Sequence, residues 1–170
     1  MQMLEKREPF SLRAVARQAD VSRTAPYRHF ADRAELESAL AVEGFRALKA
    51  HLLKRGEPAS TAALAELGVA YVEFALKRPN LFQLMFGNQC DTSDVERVRA
   101  TTELHELLAV GLAKVFPEAD ATALATACWS LVHGLACLHL DGKLPTTPRT
   151  AVAPRVRGAI EAIFALPSKQ

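Results

Sequence analysis

A chain of 170 residues is long enough for a real core and for one or two small domains. With 49% apolar and 24% charged residues it is neither a disordered nor a fibrous chain. A net charge of +2 excludes a polycation, yet the charge is uneven: residues 1–55 hold eleven Lys/Arg against seven Asp/Glu, and residues 56–170 hold ten against twelve. A basic N-terminal third on an acidic remainder points to a polyanion-binding head on a neutral body.

The apolar spacing is helical throughout, with no alternating strand series and no internal repeat, so the predicted fold class is all-α. Ser11 is placed to cap a short helix running to about Ala19, and Asp20-Val21-Ser22 reads as a tight turn. Ser22 then caps a second short helix ending near Phe30, with Pro26 in or just after its first turn. Asp32 with Glu35 makes a capping-box-like start for a long helix through about Leu53. Gly56-Glu57-Pro58 breaks that helix and sets the expected domain boundary, 1–55 against 56–170. Helices are then expected over about Thr61–Lys77, from Pro79 until Gly87 stops it, over about Ser93–Val115, from the Asp120 cap to Leu140, and over about Pro154–Leu166.

Ala121 to Leu140, ATALATACWSLVHGLACLHL, has no charged residue in a length that would span a bilayer. Its hydroxyl and histidine residues, its alanine content and the acidic flanks Asp120 and Asp141 favour a soluble helix buried on every side over a membrane span. Cys90, Cys128 and Cys137 form no CxxC and leave an odd count, which fits a reducing compartment. The opening MQMLEKREPF lacks the apolar segment of a signal peptide, so the expected location is cytoplasmic.

Helix, three-residue turn, helix is the helix-turn-helix pattern, whose second helix lies in the major groove of DNA. Arg23, Thr24, Tyr27 and Arg28 fall in the first two turns of that second helix, with Thr24, Tyr27 and Arg28 on one face. Arginine reads guanine bidentately, Thr and Tyr reach a thymine methyl or a phosphate, and His29 reaches a phosphate. Ser11 at a helix start and Arg33 in the first turn of the next helix suit phosphates. Leu12, Val15, Ala16, Val21, Phe30, Leu36 and Leu40 are the expected small core beneath them. Basic helical segments are also common on plain solvated surfaces; the phased turn, the caps and the aromatic favour DNA.

The segment FSLRAVARQADVSRTAPYRHFADRAELESALA, Phe10 to Ala41, resembles the TetR-family transcriptional regulators, above all in its VS…YRHF turn and the charged helix start after it. A weaker resemblance covers AYVEFALKRPNLFQLMFG, Ala70 to Gly87, and WSLVHG, Trp129 to Gly134, similar to a branch of that family with a Trp–His–Gly C-terminal domain. The resemblance implies a homodimer on a palindromic operator, a ligand cavity in the C-terminal domain, and repression relieved by a small molecule. Family members carry a further helix before the segment equivalent to Glu5–Phe10; here MQML stands in its place, which leaves either an upstream start or a lost helix with Val15, Phe30 and Leu40 partly bare.

Trp129 and His133 are one helical turn apart and share a face. With Tyr71, Phe74, Phe82, Met85 and Phe86 they are the expected lining of a mostly apolar cavity, although aromatic residues at this spacing also make plain core. The apolar stripes of the last two long helices suit a four-helix interface with a twofold mate. His133 and Cys137 at i, i+4 have metal-ligand spacing, but no third and fourth ligand follow, so neither metal nor cofactor is expected. No nucleophile–base pair and no phosphate-binding glycine loop argues for an enzyme. The expected function is a ligand-responsive repressor; the alternative is an interaction protein derived from such a regulator, acting by dimerisation without DNA.

Overall fold

The computed structural model describes residues 11–87 and 94–165, and all regular structure among them is helical. The elements are α1 (Leu12–Gln18), a 3-10 turn (Pro26–Arg28), α2 (Arg33–Leu53), α3 (Thr61–Lys77), α4 (Pro79–Gly87), α5 (Val95–Val115), α6 (Ala121–Leu140), a second 3-10 turn (Arg149–Ala151) and α7 (Val152–Phe164). The segment expected to replace a first helix, the residues from Cys90 through Ser93, and Leu166 lie outside the described residues.

The caps form as their chemistry demands. The Ala14 backbone N–H donates to Ser11 Oγ at 3.1 Å. At α2 the Glu35 N–H donates to Asp32 Oδ1 at 2.9 Å, while Glu35 Oε2 reaches back to the Ala31 N–H at 2.6 Å, a capping box closed one residue early. Asp120 Oδ1 accepts from the N–H groups of Thr122 and Ala123, both at 3.0 Å. Gly56, at φ +81°, takes the left-handed turn after α2 that other residues adopt only with strain.

The expected second helix of the head does not form. Residues Pro26–Arg28 make one 3-10 turn. Pro26 has no N–H to donate back to Ser22, and the Ser22 carbonyl is taken by the Ala25 N–H at 3.0 Å. Nor does Ser22 cap a helix: its hydroxyl pairs with Thr24 Oγ1 at 3.2 Å. Val21, expected inside, is 48% exposed, while Leu12, Ala16 and Leu36 are buried and Val15, Phe30 and Leu40 half-buried.

The chain forms two compact units, residues 1–47 with 78–101 and residues 48–77 with 102–170, so α2 and α5 each contribute to both. In the first unit Phe45 meets the Phe86 ring edge-on, with centroids 5.2 Å apart, and Phe86 also meets Phe82 at 4.8 Å. Gly44 admits Met85 against the backbone of α2, since a side chain there would meet Met85 Sδ at 2.6 Å. Arg97 is buried and donates to the Met85 carbonyl at 3.1 Å.

In the second unit α3 is central: α6 and α7 both pack on it. Leu64, Leu67, Tyr71 and Phe74, the predicted stripe, are all buried. Gly68 permits the close approach, because a Cβ there would overlap Ile160 Cδ1 of α7 and press on Val132 of α6. Leu64, Leu112 and Ala125 form a tight group flanked by Phe116 and Phe164, whose centroids are 5.0 Å apart. Helix α6 is not buried on every side as expected: over its most apolar window only 22% is covered within the single chain. By length and composition alone it is the one described helix apolar enough to cross a membrane.

Candidate functional site

Two sets of side chains carry recognition chemistry, one in each unit. In the first unit Ser11, Arg23, Thr24, Tyr27, Arg28, His29 and Arg33 are all exposed. Pro26 is the buried pivot of the turn; it holds the chain against α1 while Tyr27, Arg28 and His29 stand outward, Tyr27 at 50% exposure. Three of the seven already have partners, Ser11 through its cap of the Ala14 N–H. Arg33 Nε donates to Glu37 Oε1 at 2.7 Å across one turn of α2, and Thr24 pairs with Ser22. Phosphate contact by Arg33 therefore competes with an exposed ion pair of small strength. Arg13 and Arg17 on α1 are exposed as well and add to the positive field.

The second unit holds a part-open cavity of about 100 Å³. Helices α3, α5, α6 and α7 all line it, and none of its lining residues is Asp, Glu, Lys or Arg. Its wall is aliphatic apart from Cys128 and Phe164; its polar end is Tyr71, His105 and Trp129. There Trp129 Nε1–H donates to Tyr71 Oη at 3.3 Å, and Tyr71 Oη pairs with His133 Nδ1 at 3.1 Å. His133 Nε2 lies 3.5 Å from Cys137 Sγ, which extends the chain one turn along α6. His105 meets the Trp129 ring with centroids 6.0 Å apart, and its Nε2 lies 3.4 Å from Thr126 Oγ1.

Burial sets the protonation of this chain of groups. It pushes the Tyr71 phenol far above its ordinary value and holds His133 below the usual imidazole range. It also pushes the Cys128 and Cys137 thiols up, so both stay protonated and unreactive at neutral pH. Tyr71, Trp129 and His133 thus form a hydrogen-bonded cluster in which burial favours the uncharged phenol and imidazole.

Of the expected ligand-site residues, Tyr71 and Trp129 line the cavity and His133 stands behind them, bonded to Tyr71. Phe74 is buried against the His51 ring, 5.9 Å between centroids. Phe82, Met85 and Phe86 belong to the core of the first unit. His105 is the residue the sequence reading missed. Its signal was present: His105, Leu108 and Leu112 stand at i, i+3 and i+7, which puts an imidazole on the inward stripe of α5. Among the described residues no group of three or more His, Cys, Asp or Glu could hold a metal ion.

Residues 64–163 match a family model described as the tetracyclin repressor-like C-terminal domain. Among solved structures, a protein of unknown function from Rhodococcus sp. RHA1 is similar at 31% identity and a TM-score of 0.75, over 89% of this chain and 82% of that one. A second, named "putative regulatory protein SCO4313", is 24% identical at a TM-score of 0.66, over 92% of this chain and 85% of that one, a likeness that shows the fold. The family model spans more than half of the chain and the Rhodococcus relative nearly all of it; the chain belongs to the TetR family of regulators.

Proposed function

We propose that the protein is a homodimeric repressor that binds a palindromic operator through its first unit and is released when a small molecule fills the cavity of its second. The observation that carries this reading is the exposed turn that presents Arg23, Thr24, Tyr27, Arg28 and His29 together, with Arg33 at the next helix start. Arg28 and Thr24 read bases; Arg23, His29, Arg33 and Ser11 hold phosphates; Tyr27 packs its ring and offers its hydroxyl.

The dimer rests on α6 and α7. Leu138 is 42% and Ile163 46% exposed, and only 22% of the apolar window of α6 is covered within the single chain, so apolar surface remains for a mate to cover. Gly134 has open space where a side chain would stand. A glycine inside a helix costs about 0.5–1 kcal/mol against alanine, and a closely approaching mate helix accounts for it. The two reading turns would then lie one DNA turn apart, roughly 34–36 Å. Release follows from linkage: a ligand that binds the non-reading conformation more tightly shifts the population away from DNA.

A second reading, an interaction protein without DNA, is favoured by one observation: the reading segment is a single 3-10 turn where a helix was expected. A gel shift with DNA from around the protein's own gene separates the two. The repressor gives a discrete complex, weakened about 5–150-fold by Arg28→Ala through one base pair worth about 1–3 kcal/mol. The interaction protein gives none.

A further inference from the structure

We propose that the effector is an uncharged, mostly hydrocarbon molecule of about one ring, seated in the cavity between α3, α5, α6 and α7. This inference rests on the reading of that cavity as the effector site and supplies its chemistry.

Three features of the cavity narrow the ligand. The first is charge. Carboxylates and ammonium groups need an ionic partner when they leave water, and the lining holds no Asp, Glu, Lys or Arg. The second is size. About 100 Å³ is near the volume of the dry apolar cavities that take a single benzene-sized molecule, and well below that of a drug-sized site. The third is the state of the polar end. Trp129, Tyr71 and His133 are bonded to one another, and His105 lies against both the Trp129 ring and Thr126. A ligand there meets ring edges and faces rather than an ionic anchor, while Leu64, Leu67, Leu104, Leu108 and Ile160 surround the rest of it. At most a weakly polar substituent, such as a hydroxyl or carbonyl, suits the Tyr71 and His105 end.

The chain carries its own reporter, because Trp129 is its only tryptophan and lines the cavity. The experiment titrates the full chain with toluene and cyclohexane, and with benzoate and benzylammonium as charged counterparts of the same ring, following Trp129 emission. The expected result is a saturable emission change with the two neutral probes and dissociation constants at least about tenfold weaker for both charged ones. Leu108→Phe, which adds a ring to the wall, should abolish the toluene response; a thermal melt checks that the variant is folded, and if it is not, the ranking of probes on the wild type still decides.

Equal or tighter binding of benzoate or benzylammonium overturns the proposal. So does the absence of any saturable response, or an emission that follows dilution of the protein and ignores every probe, which would mean that a second copy fills the cavity. Operator binding without ligand is read separately by gel shift. A chain that shifts DNA but ignores toluene loses this inference and remains a DNA-binding regulator. A chain that takes toluene but shifts no DNA keeps the inference and loses the repressor reading.

Discussion

The two units present opposite kinds of surface chemistry. The first sets its chemistry on the outside, as exposed arginines and hydroxyls around a proline-pinned turn, and keeps its apolar residues for plain core. The second lines its cavity with no Asp, Glu, Lys or Arg and keeps only a small polar cluster, Tyr71, His105 and Trp129, at one end. A polyanion is met by charge that water already solvates, at little desolvation cost and with strong salt dependence. A small neutral molecule is met by shape and by apolar area removed from water. On the proposed function, that difference would let a chain of net charge +2 serve a polyanion and a hydrocarbon in one molecule.

The sharpest break of this comparison is at the proposed interface. Ile163→Asp places a charge in the apolar face of α7, and Gly134→Leu fills the open space on α6. Both should convert a dimer into a monomer in sedimentation, and the glycine change should leave the melting of the monomer nearly unaltered. A wild type that sediments as a monomer at micromolar concentration would remove the interface from the account.

Next in size is Tyr71→Phe. It removes the oxygen that Trp129 Nε1 and His133 Nδ1 share, and a lost hydrogen bond of this kind costs about 0.5–1.5 kcal/mol. Urea unfolding should show that loss, and the toluene response of Trp129 should change with it. No change in either measurement would mean that the cluster is not what organises the cavity.

Acid should act on the second unit more gradually. Burial lowers His51, His133 and His139 below their ordinary values near 6.5, and His139, with a nearby Arg155 lowering it further, is nearly inaccessible. The folded state therefore resists protons that the unfolded chain accepts. Stability should be flat above about pH 6.5 and fall as pH drops below it, because there the unfolded state binds more protons. Replacing His139 with Leu should flatten part of that fall in melts recorded from pH 7 to pH 5; an unchanged slope would assign the effect to the other two histidines.

The smallest expected effect is at Arg33. Arg33→Ala should lower the salt slope of DNA binding by about one unit and weaken all sequences alike. Glu37→Ala should do the reverse, by freeing the guanidinium from its partner. A sequence-selective loss at Arg33 would move it from the phosphates to the bases.

What was legible in the sequence followed from how local the cause is. The caps at Ser11, Asp32 and Asp120 and the bounds of α3 depend on residues within one turn, and they appeared as read. The reading helix failed for an equally local reason that the pattern understated: Pro26 lies where the second turn needs an N–H. The cavity was legible only in part. Tyr71 and Trp129 come together from α3 and α6 because each sits on its own helix's inward stripe. Phe82, Met85 and Phe86 look the same by spacing, and only the long-range path of the chain assigns them to the core of the first unit. His105 was passed over because a lone histidine on an apolar stripe carries little signal until its neighbours Trp129 and Thr126 are placed.

The most direct test of the central claim is the specificity of DNA binding by the unliganded protein. Fluorescence anisotropy would compare a labelled palindrome selected from DNA around its own gene with a scrambled duplex of equal length, across a range of salt. The account predicts two chains per palindrome and a preference of at least about 10³-fold over the scrambled duplex. Equal affinity for both duplexes, by a dimer shown to be folded, would contradict it.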